Sequence, residues 1–200
     1  MARIPGKQFV NIRVIRGDES INSGVTMKLK IEDLTVESFA PFGEVITQPA
    51  RGQDAQGPGW TWWGENHVMA GGDRNYAIGY LDLQPAELTF NWAERHMYSD
   101  ELLIPMGGDC LVYVGPPDHP GEPDRLPDLE RFRVFRLREG QGVLLGRGVW
   151  HGAPMALDEP LNVTVLLLKD TGKIDGHVVR FEDTPVQIER QDTGVNFSRR

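Results

Sequence analysis

Two features of the 200-residue chain predict an all-β sandwich or barrel with short helical turns. Short apolar runs of strand length recur along it, several alternating apolar and polar residues. The 23 glycines and 14 prolines recur between those runs, where turns belong, which argues against a helical bundle. The length suits one domain with a substantial core. We divide the chain into an N-terminal arm (1–26), a single domain (27–190) and a polar tail (191–200).

In order, residues 28–32 alternate charged and apolar side chains, as a half-buried strand does. Thr35 can cap a short helical turn that Pro41 and Gly43 stop, and residues 43–46 return to strand character. Residues 49–59 read as a loop rich in Gly, Gln and Asp. Trp60, Trp62 and Trp63 follow, three of the five tryptophans; sheet packing is the expectation for them. His67 reads as a loop histidine. Residues 75–83 form a strong strand with Tyr76, Ile78, Tyr80 and Asp82 on one face. Residues 88–92 run directly into a strand carrying Glu94 and His96, and residues 109–114 form a buried strand.

Residues 115–127 hold five prolines and cannot be a central strand; His119 within them is expected in solvent. In residues 131–138 the arginines change parity between Arg133 and Arg136, which predicts a bulge near Val134. Residues 161–169 are the most apolar strand and are expected across the middle of the sandwich.

Charge and length exclude some classes. Lys and Arg number 21 against 29 Asp and Glu, a net charge of -8, so nucleic acid is not an expected partner. No apolar run nears the roughly 20 residues that span a bilayer, and no membrane association is expected. Residues 1–17 are basic but lack a secretory apolar core. Cys110 has no second cysteine to pair with and reads as a small buried side chain. A cytoplasmic protein with a small-molecule substrate is expected.

The chemistry concentrates at Glu94, His96 and Glu101. Strand alternation points Trp92, Glu94 and His96 to one face and Ala93 and Arg95 to the other. A turn over residues 97–100 would make a hairpin and bring Glu101 beside them. His151 arrives from a separate glycine-punctuated segment, residues 140–151. Two imidazoles and two carboxylates suit a divalent metal (Zn, Mn, Fe or Ni) held by His96, Glu101, His151 and Glu94, or acid–base work by Glu94 and His96. Arg95 is expected in a surface or interface salt bridge unless the strand is bulged. Arg95, Tyr98 and Trp150 flank these groups and are candidates for substrate binding.

These two segments resemble the paired motifs of the cupin superfamily. His96, Glu101 and Gly108 match the first motif, with Glu94 standing where a histidine is usual. Gly140, Gly148 and His151 match the second, with Gly146 in place of a proline. The resemblance implies a jelly-roll β-sandwich. Within the cupins the chain is most similar to the ureidoglycolate lyases over residues 27–190. That similarity lies in residues 39–46, in Glu94-Arg95-His96 followed by Leu103-Ile104-Pro105-Met106, and in Gly148-Val149-Trp150-His151. Glu101 departs from the family's glutamine, and residues 97–100 replace its proline-containing turn. The resemblance implies cleavage of (S)-ureidoglycolate to glyoxylate and urea in allantoin degradation, by a homodimer. Another metal-dependent cupin enzyme for a small hydroxy or amino acid, or a non-catalytic cupin binding a small ligand, are the alternatives.

Overall fold

The computed structural model describes residues 26–122, 125–181 and 184–190. The arm up to residue 25 and the tail from residue 191 lie outside the described residues.

Strand β1 (Met27–Asp33) leads into the turn α1 (Val36–Phe39), where Thr35 and Ser38 form a reciprocal capping box. β2 (Gly43–Ile46) follows, then the hairpin β3 (Ala55–Gly57) and β4 (Trp60–Trp62), then β5 (Tyr76–Leu83). β6 (Thr89–Phe90) and β7 (Trp92–Arg95) are separated by Asn91 alone. β8 (Glu101–Met106), β9 (Cys110–Gly115), β10 (Arg133–Leu137) and β11 (Gly142–Leu145) come next. β12 (Trp150–His151), β13 (Met155–Ala156) and β14 (Leu161–Leu168) precede the turn α2 (Thr171–Ile174), and β15 (His177–Arg180) and β16 (Val186–Glu189) end the domain.

Two sheets face each other, as expected of a β-sandwich. The larger runs β15-β7-β12-β9-β10-β1-β16-β6, with β13 beside β9; the smaller runs β2-β11-β8-β14-β5. Between them lies a core of alternate residues from both, including Leu103, Val112, Phe135, Leu145 and Val163. Phe39, Phe42 and Phe135 close part of it, with ring centroids 5.2–5.8 Å apart.

The larger sheet also curls towards itself. β6 pairs with β16 at one end while β7 pairs with β15 at the other, so one stretch of chain touches both ends. The curl encloses a second core, in which Phe90 stacks on Tyr113 at 3.9 Å beside Phe132, Trp150 and Phe181. β9 and β10, in the middle of the larger sheet, therefore bury apolar residues on both faces. This explains the continuous burial of β9.

Several expectations change here. β10 pairs with β9 without a bulge. The arginines switch parity because both of its faces are covered: Phe135 and Leu137 enter the first core and Val134 the second. Arg133 lies over the Phe135 ring at 4.8 Å and pairs with Glu32, while Arg136 pairs with Asp109. β14 sits second from the edge of its sheet, not in the middle. Trp60 and Trp62 are 54% and 59% exposed, because their hairpin joins neither large sheet. His67 pairs with Glu44, and His119 is half-buried beside Glu122. No helix among the described residues is long and apolar enough to cross a membrane.

Candidate functional site

Residues 92–101 do not form a hairpin. β7 belongs to the larger sheet and β8 to the smaller, so residues 97–100 cross from one sheet to the other. A local pattern of strand, turn and strand is the same in both cases; only pairing distinguishes them. The crossing still brings Glu101 to His96, now from the opposite wall.

His151 is the register partner of Glu94 on the adjacent strand. Glu94, His96 and His151 each present a ligand-type atom, all within 4.8 Å of one another. From the facing sheet, Oε2 of Glu101 lies 3.2 Å from Nε2 of His96 and 3.4 Å from Nε2 of His151. Both imidazoles are 4% exposed, and their ring centroids are 5.2 Å apart. The backbone holds the two segments in step: the Gly148 amide donates to the His96 carbonyl at 2.7 Å. Gly148 takes φ of +76°, which a side chain would oppose.

Each ring's orientation is set from behind. Nδ1 of His96 lies 2.9 Å from the Asp175 carbonyl oxygen, and Nδ1 of His151 lies 2.9 Å from that of Val149. A carbonyl only accepts, so both Nδ1 atoms carry hydrogen. Both Nε2 atoms then face the same carboxylate oxygen of Glu101, and Nε2 of His151 has no hydrogen-bond partner. Three electron pairs converging in a buried space demand a positive charge, supplied by a proton or a metal ion. Burial works against charging His151, but Glu101 outweighs it with help from Glu94, raising the imidazole to about 9. Burial likewise opposes the Glu101 charge, yet the two imidazoles hold it well below the usual carboxylate range. The donor set of two imidazole nitrogens with carboxylates fits a divalent transition metal.

Arg95 and Trp150 are not among these groups. β7 is regular, so Arg95 points to the opposite face, fully buried rather than in a surface salt bridge. Its guanidinium stacks over Trp150 at 4.3 Å and donates to the carbonyls of Asp118, His119 and Glu122. Trp150 is buried in the second core, and its indole donates to Asp118 at 2.7 Å. Both are 0% exposed and lie behind the site, on the sheet face away from Glu94 and His151. Tyr98 is 66% exposed and lines a cavity of about 470 Å³ with Arg74 and Arg147. Asp175 was not singled out from the sequence: it contributes through backbone contacts that no residue spacing reveals.

The ureidoglycolate lyase family profile matches residues 26–189. A ureidoglycolate lyase of Brucella anthropi is 32% identical over 169 residues, covering 80% of this chain and 94% of the relative. One of Azotobacter vinelandii is 33% identical over 64% of this chain and 78% of its own length. A solved sugar 3,4-ketoisomerase of Thermoanaerobacterium thermosaccharolyticum overlaps 54% of this chain and 67% of its own at a TM-score of 0.38 and 18% identity, from which nothing about substrate follows.

Proposed function

The chain belongs to the ureidoglycolate lyase family, and from that premise we propose that Glu94, His96, Glu101 and His151 form the site where ureidoglycolate is cleaved to glyoxylate and urea. The observation that carries this assignment is the convergence of both Nε2 atoms on one Glu101 oxygen in a buried space lined by a second carboxylate.

The reaction removes the substrate's hydroxyl proton, forms the carbonyl, breaks the C–N bond and delivers a proton to the departing nitrogen. Where it does not ligate a cation, Glu94 takes the hydroxyl proton as general base. His96, His151 and Glu101 would hold a divalent cation, with Glu94 as base or fourth ligand. Such a cation supplies Lewis acidity towards the substrate's carboxylate and hydroxyl oxygens. An ion of the Zn, Mn, Fe or Ni class would suit these ligands. Tyr98, at the exposed end of the crossing, is the substrate-contact candidate that faces solvent.

The raised His151 value favours a second reading, in which a proton on this imidazole replaces the metal and passes to the leaving nitrogen. The two readings separate on metal removal. Glyoxylate release from (S)-ureidoglycolate, measured against an enzyme-free blank, stops after chelation and returns with added Mn or Ni if a cation is required. It survives chelation if the proton suffices. Release no faster than the blank in either state would end the assignment.

A homodimer in the cytoplasm, acting in allantoin degradation, completes the proposal. The outer face of the smaller sheet supports a second copy as the partner. Leu102, Leu166 and Ile78 align across it, as do Ile104, Thr164 and Tyr80. Ile78 is 80% and Tyr80 64% exposed. Residues 65–69 share one cavity with Leu102, Leu144 and Leu166, so the open part of this face lies along β5.

A further inference from the structure

We infer that Asp175 is a positioning residue that selects the working tautomer of His96. The inference concerns His96 as the site assigned above uses it.

After β14, Asp170 takes a left-handed turn and α2 carries the chain back beneath the crossing of residues 97–100. Asp175 closes α2, its amide donating to the Thr171 carbonyl. It is 1% exposed. Its carboxylate accepts from the Met97 amide on one oxygen and the Tyr98 amide on the other, both at 2.8 Å. Its carbonyl oxygen simultaneously takes the Nδ1 hydrogen of His96 at 2.9 Å. One residue therefore grips the imidazole and the two amides that follow it in sequence.

Only an ionised carboxylate offers two acceptor oxygens in that fork, and burying one is costly unless it is hydrogen-bonded. Asparagine keeps the size but presents an NH₂ group to one of the two amides, so one bond is lost. The same strap continues at Ser99, which accepts from the Leu168 amide at 2.9 Å. The crossing is thus tied to the end of β14 and to α2 along its length. Releasing the carboxylate lets Asp175 shift, its carbonyl leaves Nδ1, and the His96 proton is free to move to Nε2. That tautomer turns an N–H into the space where a lone pair is needed. His151 depends on Val149 instead and is unaffected.

The test is imidazole ¹⁵N NMR together with steady-state kinetics on Asp175→Asn and Asp175→Ala. The expected result is a His96 that changes from Nδ1-protonated to mixed tautomers while the His151 signals stay in place. In parallel kcat falls about 10- to 100-fold, the range for groups that orient a site histidine, with KM little changed. If the alanine variant does not fold, the isosteric Asn variant decides. A folded Asn variant with an unchanged His96 tautomer overturns the inference, whether kcat falls or not. The NMR readout needs no turnover, so a wrong substrate assignment would show in the unmodified protein's kinetics and leave this test standing.

Discussion

Arg95 lies over Trp150 at 4.3 Å, directly behind the strand pair that presents Glu94 and His151. Each strand thus sends one residue into the site and its sequence neighbour into this stack. The stack ties both strands to residues 118–122. Arg95→Lys removes the planar fork that serves three carbonyls. We expect a stability loss of about 2–3 kcal/mol, read as a lower urea midpoint.

Glu94→Gln keeps the size and removes the base. Glyoxylate release should fall by about 10²- to 10⁴-fold in kcat, with the circular dichroism spectrum unchanged. A loss confined to KM would assign Glu94 to substrate binding instead.

The metal-free protein should lose stability as pH rises. His151 is raised from 6.5 to about 9, so its charged form is favoured in the folded state. That contribution is present in full below about pH 6.5 and is lost as pH climbs through about 9. The lowered Glu101 acts at the other end, contributing above its ordinary 4.5 and losing that contribution as pH falls below it. Urea unfolding at a series of pH values on chelator-treated protein reads both limbs, and His151→Gln should flatten the alkaline one.

Gly152→Ala should prevent normal folding. A β-carbon there would stand 1.6 Å from the Tyr113 hydroxyl, which donates to the Trp92 carbonyl at 3.0 Å within the second core. Soluble yield and melting temperature measure the effect. A melting curve matching that of the unmodified protein would mean Tyr113 has room to move.

Ile78→Asp places a charge on the outer face of the smaller sheet, at its edge strand β5, where Ile78 is 80% exposed. We expect sedimentation velocity to show a shift from dimer to monomer, with the melting temperature falling at low concentration.

The alternation of residues 92–96 and the spacing to His151 made the Glu94, His96 and His151 grouping legible without coordinates. Glu101 was legible too, although the reason expected for its approach was wrong. Its strand pairs in the other sheet, and a short run of residues carries no information about which partner it will find. Arg95 lies on the opposite face, as the alternation of a regular strand predicts, but buried there instead of at the surface, and Trp150 joins it because the same parity holds on β12. The tryptophans of β4 misled: aromatic content signals a strand, but their hairpin has no sheet to pack on. The parity change among the arginines of β10 was real, yet it reflected two covered faces instead of a bulge.

β1 has a consequence for how the protein is made. The strand's parallel neighbours are far along the chain: β10, in the second half of the domain, and β16, the last strand among the described residues. Through most of synthesis Met27–Asp33 is an unpaired strand bearing half-apolar character, with both edges open to other chains. The larger sheet is completed only when the final strand emerges. Folding should therefore be slow, as sheets built from distant pairings are. Nascent chains truncated before residue 186 should be bound by chaperones or aggregate.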